Sequence, residues 1–328
     1  MVLIYMIEYP YYKKIYNLKE VKKNFSQLKN KKIELLDVIK ARKISKNFNF
    51  EKCEGKFLIC YYNYDKMKKL QNITDYFSEK CRVKCKKLYK DKSPIEKFDE
   101  IKNKMYDKDL KKFRFNITYY LWKNSYLCQL FKIPVIQDLY KYFNAKNILD
   151  FSSGWGDRLI AACSLNVKYT GVDPSNCMKP IYKKIINTLV PKKKQKNYKV
   201  IHERFEKTNL KEKFDFIFSS PPFFTLETYE KKNIKQSIKQ YSNVKDWKNK
   251  FLFVLINKCY NYLEKNRYFC IHISNIPKFS YVQDMLNYIK NKTKFTYVGK
   301  FYYIYKHIHS ENKKILYSYP MYIRVFKK

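Results

Sequence analysis

The stretch that decides the fold is "NILDFSSGWGDRLIAA", Asn147 to Ala162. Its first residues, "ILDF", are an apolar strand, "SSGWGD" is a tight turn, and "DRLIAACSL" reads on as a helix. The whole chain has only five glycines, yet Gly154, Gly156 and Gly171 fall within eighteen positions. Glycine is the residue for backbone that rejects a Cβ. Strand, glycine turn and helix N-terminus together bring main-chain N–H groups up to a bound ligand.

The next apolar run, "KYTGVDPS", ends in Asp173, about twenty residues after the glycine turn, where an acid meets ribose hydroxyls. Asp173 also reads as a helix cap, with Pro174 opening the helix. Leu159 stands where a dinucleotide fingerprint has its third glycine, which favours a smaller, adenosine-type cofactor. A further run, "FDFIFSSPPFF", drives an apolar strand into Ser220, Pro221, Pro222 and Phe223. The prolines fix the backbone at the strand end, where ligands bind in open α/β sheets. A carbonyl and a hydroxyl there are acceptors for an exocyclic amino group, and a ring beside them stacks on a planar base.

Around these motifs, short apolar runs alternate with helical stretches from Asn147 onward, which predicts a mostly parallel sheet covered on both faces. The runs "FTYVGKFYYIY" and "ILYSYPMYIRVF" predict an antiparallel hairpin at the sheet edge. Before residue 115 the pattern is mixed. "MVLIYMIEYPYYKK" reads as a first strand, with no basic leader or cleavage site, and "KFLICYYNY", Lys56 to Tyr64, as another. Ser93, Pro94 and Glu96 mark a helix start. A helical pair is expected over about 117–131 and 134–143. "NITDYFSEKCRVKCKK" interleaves Tyr76 and Phe77 with Arg82, Lys84, Lys86 and Lys87, a mixture able to grip nucleic acid.

Composition sets the outer bounds. The 328 residues suffice for one large or two ordinary domains, and no apolar run approaches a bilayer span. Nine cysteines without a secretory signal predict free thiols in a reducing, intracellular setting. Cys53, Cys60, Cys81 and Cys85 lack the paired spacing of a zinc ribbon, so no metal is expected. A formal net charge of +41 suits a polyanionic partner. Lys, Tyr, Asn and Ile are abundant while Gly, Ala and Arg are scarce, so codon drift accounts for part of it.

Taken together, "LDFSSGWGDRL", "GVDPS" and "SSPPFF" resemble the first, second and fourth motifs of S-adenosylmethionine-dependent amino-methyltransferases. That family carries Asp, Asn or Ser, then Pro-Pro, then an aromatic. The Ser form is most familiar from cytosine-N4 DNA methyltransferases, and adenine-N6 enzymes overlap it. "TLETYEKKNIKQSIKQYSNVKDWKNKF" is similar to the following loop and helix in phage and large-DNA-virus methylases, which implies a viral style of sequence and a cytoplasmic, viral-factory or virion location. The resemblance spans about residues 115–328. It implies a Rossmann-like class I methyltransferase fold: α/β, a mostly parallel seven-stranded sheet with a C-terminal antiparallel hairpin, plus a smaller N-terminal α+β region. The implied division is an accessory or recognition region over 1–115 and a methyltransferase domain over 116–328. The implied cofactor is S-adenosyl-L-methionine, held by Asp150, Ser152, Gly154, Gly156 and Asp173, with Glu203 and Phe205 at the adenine edge. Ser220, Pro221, Pro222 and Phe223 are the implied catalytic set, and DNA the implied partner. RNA, a protein amide, or a non-catalytic binding subunit that keeps the fold remain open alternatives.

Overall fold

The computed structural model describes residues 7–33, 35–36, 43, 58–308, 315–317 and 321–328. Five strands run parallel: β4 (Asn147–Asp150), β5 (Lys168–Val172), β6 (Tyr198–Ile201), β7 (Phe214–Ser219) and β9 (Leu263–Ile271). Beside β9 lies β12 (Met321–Lys327), antiparallel to it and to β10 (Thr296–Ile308). The order across the sheet is β6-β5-β4-β7-β9-β12-β10. Counted from β4 along the chain this reads 3-2-1-4-5-7-6 with only the last strand reversed, the expected Rossmann-like class I methyltransferase arrangement.

The sheet does not stop at seven strands. A strand from the N-terminal region, β2 (Leu58–Asn63), pairs parallel with β10, and β1 (Leu35–Leu36) pairs antiparallel with β2. With β11 (Ile315–Tyr317) paired to β10, the sheet has ten strands. The expected C-terminal hairpin is therefore interior, because β2 covers the edge it was expected to form. Two short strands, β3 (Lys86–Lys87) and β8 (Glu227–Thr228), make a separate ribbon.

Alternation along the strands sorts the core into two layers. Ile148, Phe216 and Phe218 point to one face, Leu149, Ile217 and Phe269 to the other. The first face is covered by α2 (Leu18–Lys29), α3 (Tyr64–Arg82), α6 (Ile133–Tyr142), α7 (Asp157–Leu165) and α8 (Lys179–Leu189). The second is covered by a helical run of α10 (Val244–Trp247), a π turn over Lys248–Leu252 and α11 (Phe253–Tyr262), and by α12 (Val282–Lys292). The remaining helices are α1 (Tyr12–Ile15), α4 (Pro94–Met105), α5 (Leu110–Lys123) and α9 (Ser237–Gln240). α4 and α5 close a third, small core with Phe98, Ile101, Phe113, Ile117 and Leu121.

Several local expectations change. From Ile7 on the chain forms no first strand, and Tyr12–Ile15 is a helical turn; residues 1–6 lie outside the described set. The helix expected over 117–131 begins seven residues earlier. Asp109 accepts from the N–H of Lys111 and Lys112, and that cap outranks the apolar start at Ile117. This helix runs across residue 115. Ser93 and Glu96 form the capping box their spacing predicts. Phe77 and Arg82 turn inward, with Arg82 paired to Asp75 and Phe77 in the first core, while Lys84 is exposed and Tyr76, Lys86 and Lys87 are half-buried.

The free-thiol expectation is corrected. Cys81 is bonded to Cys177 and Cys85 to Cys128, with Cα atoms 5.9 and 6.5 Å apart. Pairs separated by 96 and 43 residues are made neighbours by the fold, which spacing alone does not reveal. Cys163, Cys259 and Cys270 are buried free thiols, and the side chains of Cys53 and Cys60, like that of His309, lie outside the described residues. Among the described residues no helix is long and apolar enough to cross a membrane.

Candidate active site

The C-terminal ends of β4, β5, β7 and β9 open into one cavity of about 630 Å³. Its floor is the glycine turn. Gly154 and Gly156 have φ of +54° and +90°, in the left-handed region that other residues enter only under strain. A Cβ on Gly156 would lie 2.8 Å from Ile185 Cδ1, so this glycine is fixed from behind by α8. A Cβ on Gly154 would meet nothing nearer than 3.7 Å, so its missing side chain leaves cavity space. At Gly171 a Cβ would fall 2.2 Å from Ser153 Oγ, so β5 and the turn touch only because this side chain is absent. The glycine cluster is thus two left-handed turns and one close approach.

Asp150 lies behind the turn, fully buried. It accepts from Arg158 Nε at 2.8 Å, Ser219 Oγ at 2.7 Å, the Ser152 N–H at 3.2 Å and the Tyr169 hydroxyl. Arg158 reaches back to the Ser152 carbonyl. These bonds bind the ends of β4 and β7 and the start of α7 into one unit. Asp150, Gly156 and Glu203 do not line the cavity; Ser152, Gly154, Asp173, Phe205 and Ser220 through Phe223 do. Glu203 instead pairs with Lys235 at 3.2 Å.

Asp173 accepts from the N–H of Gly154 at 2.8 Å and of Ser175 at 2.9 Å. Burial pushes its carboxyl up to about 6, and those two N–H groups oppose the rise. The cap role and the cavity position coexist, since Asp173 accepts from the Ser175 N–H and still lines the cavity. Phe205 packs 5.6 Å from Phe151 and presents an apolar wall.

Across the cavity stands the Pro-Pro turn. Phe224, just beyond it, holds φ +45° and packs on Trp247, while its N–H bonds the Pro222 carbonyl at 3.0 Å. The N-terminal region clamps this loop from outside: the Leu88 N–H donates to the Leu226 carbonyl at 2.9 Å and β3 pairs with β8. Ser220 Oγ lies 3.3 Å from His272 Nδ1. His272 was missed in the sequence. It follows β9, beside the end of β7, and strand-end position was the available signal. Burial, then the charges of Arg158 and Arg324, push its imidazole down to about 4, so it is neutral at pH 7. Phe131 and Phe223 flank it, with ring centroids 5.0 and 5.9 Å away.

Asp157, the first residue of α7, is a buried strut. It accepts from Gln71 Nε2 at 2.8 Å, Thr74 Oγ1 at 2.5 Å and the Phe131 N–H at 3.1 Å. Burial pushes its carboxyl up to about 6. Through it α3 holds both the glycine turn and Phe131.

No family model and no curated protein matches the chain. Among solved structures it is similar to the precorrin-6y C5,15-methyltransferase of Geobacter metallireducens GS-15, at 11% identity and TM-score 0.40 over 60% of this chain and 86% of that one. It is similar to a SAM-dependent O-methyltransferase of Thermotoga maritima, at 11% identity and TM-score 0.39 over 63% and 69%. A third likeness is to an rRNA methylase of Streptococcus thermophilus, at 12% identity and TM-score 0.36 over 61% and 98%.

Proposed function

We propose that this chain is an S-adenosyl-L-methionine-dependent methyltransferase that methylates an exocyclic amino nitrogen of a nucleobase, cytosine N4 or adenine N6, most simply in DNA. The observation that carries this reading is one cavity walled by a glycine turn with a buried acid on one side and Ser220-Pro221-Pro222-Phe223 on the other. The cofactor, when bound, supplies an activated methyl group on a sulfonium. The residues present fit it: Gly154 leaves space for it, Ser152 sits on the same turn, Asp173 offers its carboxyl to ribose hydroxyls, and Phe205 offers an apolar wall to adenine.

The protein's part is then to place the acceptor. The Ser220 hydroxyl and the Pro221 carbonyl accept from the amino N–H groups, which turns the nitrogen lone pair out of the ring and toward the methyl donor. Phe223 stacks on the base, and proximity accounts for most of the acceleration. Neutral His272 accepts from the Ser220 hydroxyl at Nδ1 and so holds that side chain in place. In this reading residues 1–115 form a recognition and clamping region. Its helix α3 and ribbon strand β3 hold the glycine turn and the Pro-Pro loop.

The test offers purified protein and tritiated S-adenosylmethionine to duplex DNA, single-stranded DNA, total RNA and a protein extract in parallel. Mass spectrometry then identifies the labelled nucleoside. N4-methylcytosine or N6-methyladenine in DNA is the expected product, with loss of at least about 100-fold in kcat in Ser220→Ala through the lost acceptor. Label only in protein overturns the substrate. No label and no cofactor binding by calorimetry leaves a non-catalytic subunit.

A further inference from the structure

The outward face of α5 carries three large aromatic rings that the fold does not use. Phe115, Tyr119 and Trp122 are 58%, 48% and 63% exposed, while Phe113, Ile117 and Leu121 on the opposite side bury against α4. Spacings of four and three residues put the exposed rings in one row along the helix. Phe115 and Tyr119 lie nearly parallel, 10° apart with centroids separated by 5.9 Å, and Tyr119 to Trp122 is 6.1 Å. A surface helix ordinarily shows water a polar face, and a row of exposed rings marks an interaction surface.

The charge around the row selects the partner. The helix sequence "LKKFRFNITYYLWK" contains no acid. Lys111, Lys112 and Lys123 share the exposed face, and Lys123 Nζ stands 5.9 Å from the Tyr119 ring. Of the two acids just before the helix, Asp107 pairs with Lys112 and Asp109 caps the helix. Flat rings spaced along a basic helix match a polyanion whose bases are free to stack, and a duplex has no free base faces. The row also leads to the cavity. Ser125, on the cavity rim, donates its N–H to the Trp122 carbonyl at 2.9 Å, and Tyr89 and Lys90 stand on the same rim.

We propose that the Phe115–Tyr119–Trp122 face of α5 is a stacking track for single-stranded nucleic acid that leads the strand to the cavity mouth. The track extends the nucleobase-methyltransferase reading and rests on it for the meaning of the cavity, but its binding is measurable alone. The experiment uses fluorescence anisotropy without cofactor, at fixed physiological salt. Its probes are a labelled oligodeoxyuridylate, the matching oligouridylate and a duplex of equal length. The full chain is compared with a Phe115→Ser, Tyr119→Ser, Trp122→Ser variant and with a variant carrying Leu at all three positions, each checked by circular dichroism.

Expected are tighter binding of a single strand than of the duplex, and about 100-fold or greater loss in both variants, because leucine restores apolar area but no stacking face. The tighter of the two single strands names the sugar. Unchanged binding in the serine variant, a preference for duplex, full retention in the leucine variant, or self-association through this face would each overturn the track. Ring-dependent binding without any methyl transfer would sink the catalytic reading alone. Methyl transfer with ring-independent binding would sink the track alone.

Discussion

At Gly171 a single hydrogen in place of a methyl group lets β5 lie against the glycine turn. A Cβ there would lie 2.2 Å from Ser153 Oγ and 2.8 Å from Tyr169 Cε1. Gly171→Ala therefore costs about 1–3 kcal/mol through overpacking. Because the nearest clash is with the small Ser153 side chain, Ser153→Ala in that background recovers part of the loss and leaves the Tyr169 part, a coupling that a double-mutant cycle in urea reads directly. Asp173 predicts a pH effect with two opposite signs. Its carboxyl titrates near 6 instead of 3.8. If the ionised form holds the ribose, cofactor affinity falls as pH drops through about 6, by up to about tenfold per unit, and the Asp173→Asn slope is flat by calorimetry. Stability moves the other way. The folded chain keeps this proton where the unfolded chain has lost it, so the stability it contributes below about 4 is lost as pH rises through about 6. Residues of this kind were legible because glycine and proline announce backbone constraints. Asp150 was legible as a motif member, but not as a buried hub, since two of its four partners, Tyr169 and Ser219, come from later strands.

Among the elements, α3 contributes most to the site without touching its chemistry. Asp157→Ala would strand the Gln71 amide, the Thr74 hydroxyl and the Phe131 N–H. The expected cost is about 2–4 kcal/mol, read from denaturant unfolding, at the level of the two buried groups, Gln71 and Thr74, because the Phe131 N–H is only part-buried. The cavity wall at Phe131 would loosen with it, raising the cofactor or substrate requirement more than the maximal rate. Element boundaries set by caps were readable at Ser93 and misread at Asp109, where the apolar pattern drew the start to Ile117. Likewise α11 ends at Tyr262 with no polar break in the sequence, because Leu263 already joins β9. Periodicity names an element's type, and a single side-chain bond decides where it begins.

For the molecule as a whole, the parallel strands β4, β5, β6, β7 and β9 follow from alternation, and the antiparallel β10–β12 pairing from the closeness of the last two apolar runs. The enlargement of the sheet does not. "LICYYN" was readable as a strand, yet nothing local says that it pairs with "FYYIYK". That partnership joins Leu58 to Phe301, positions 243 residues apart. The two disulfides escaped for the same reason, since their partners are decided by packing. The β2–β10 pairing has a consequence for how the protein is made. At about 5–20 residues per second, β2 leaves the ribosome roughly 12–50 seconds before β10 exists to receive it. Through that interval the edge that β10 will cover is open to any passing strand, so the nascent chain is most dependent on a chaperone at a strand made long before its partner.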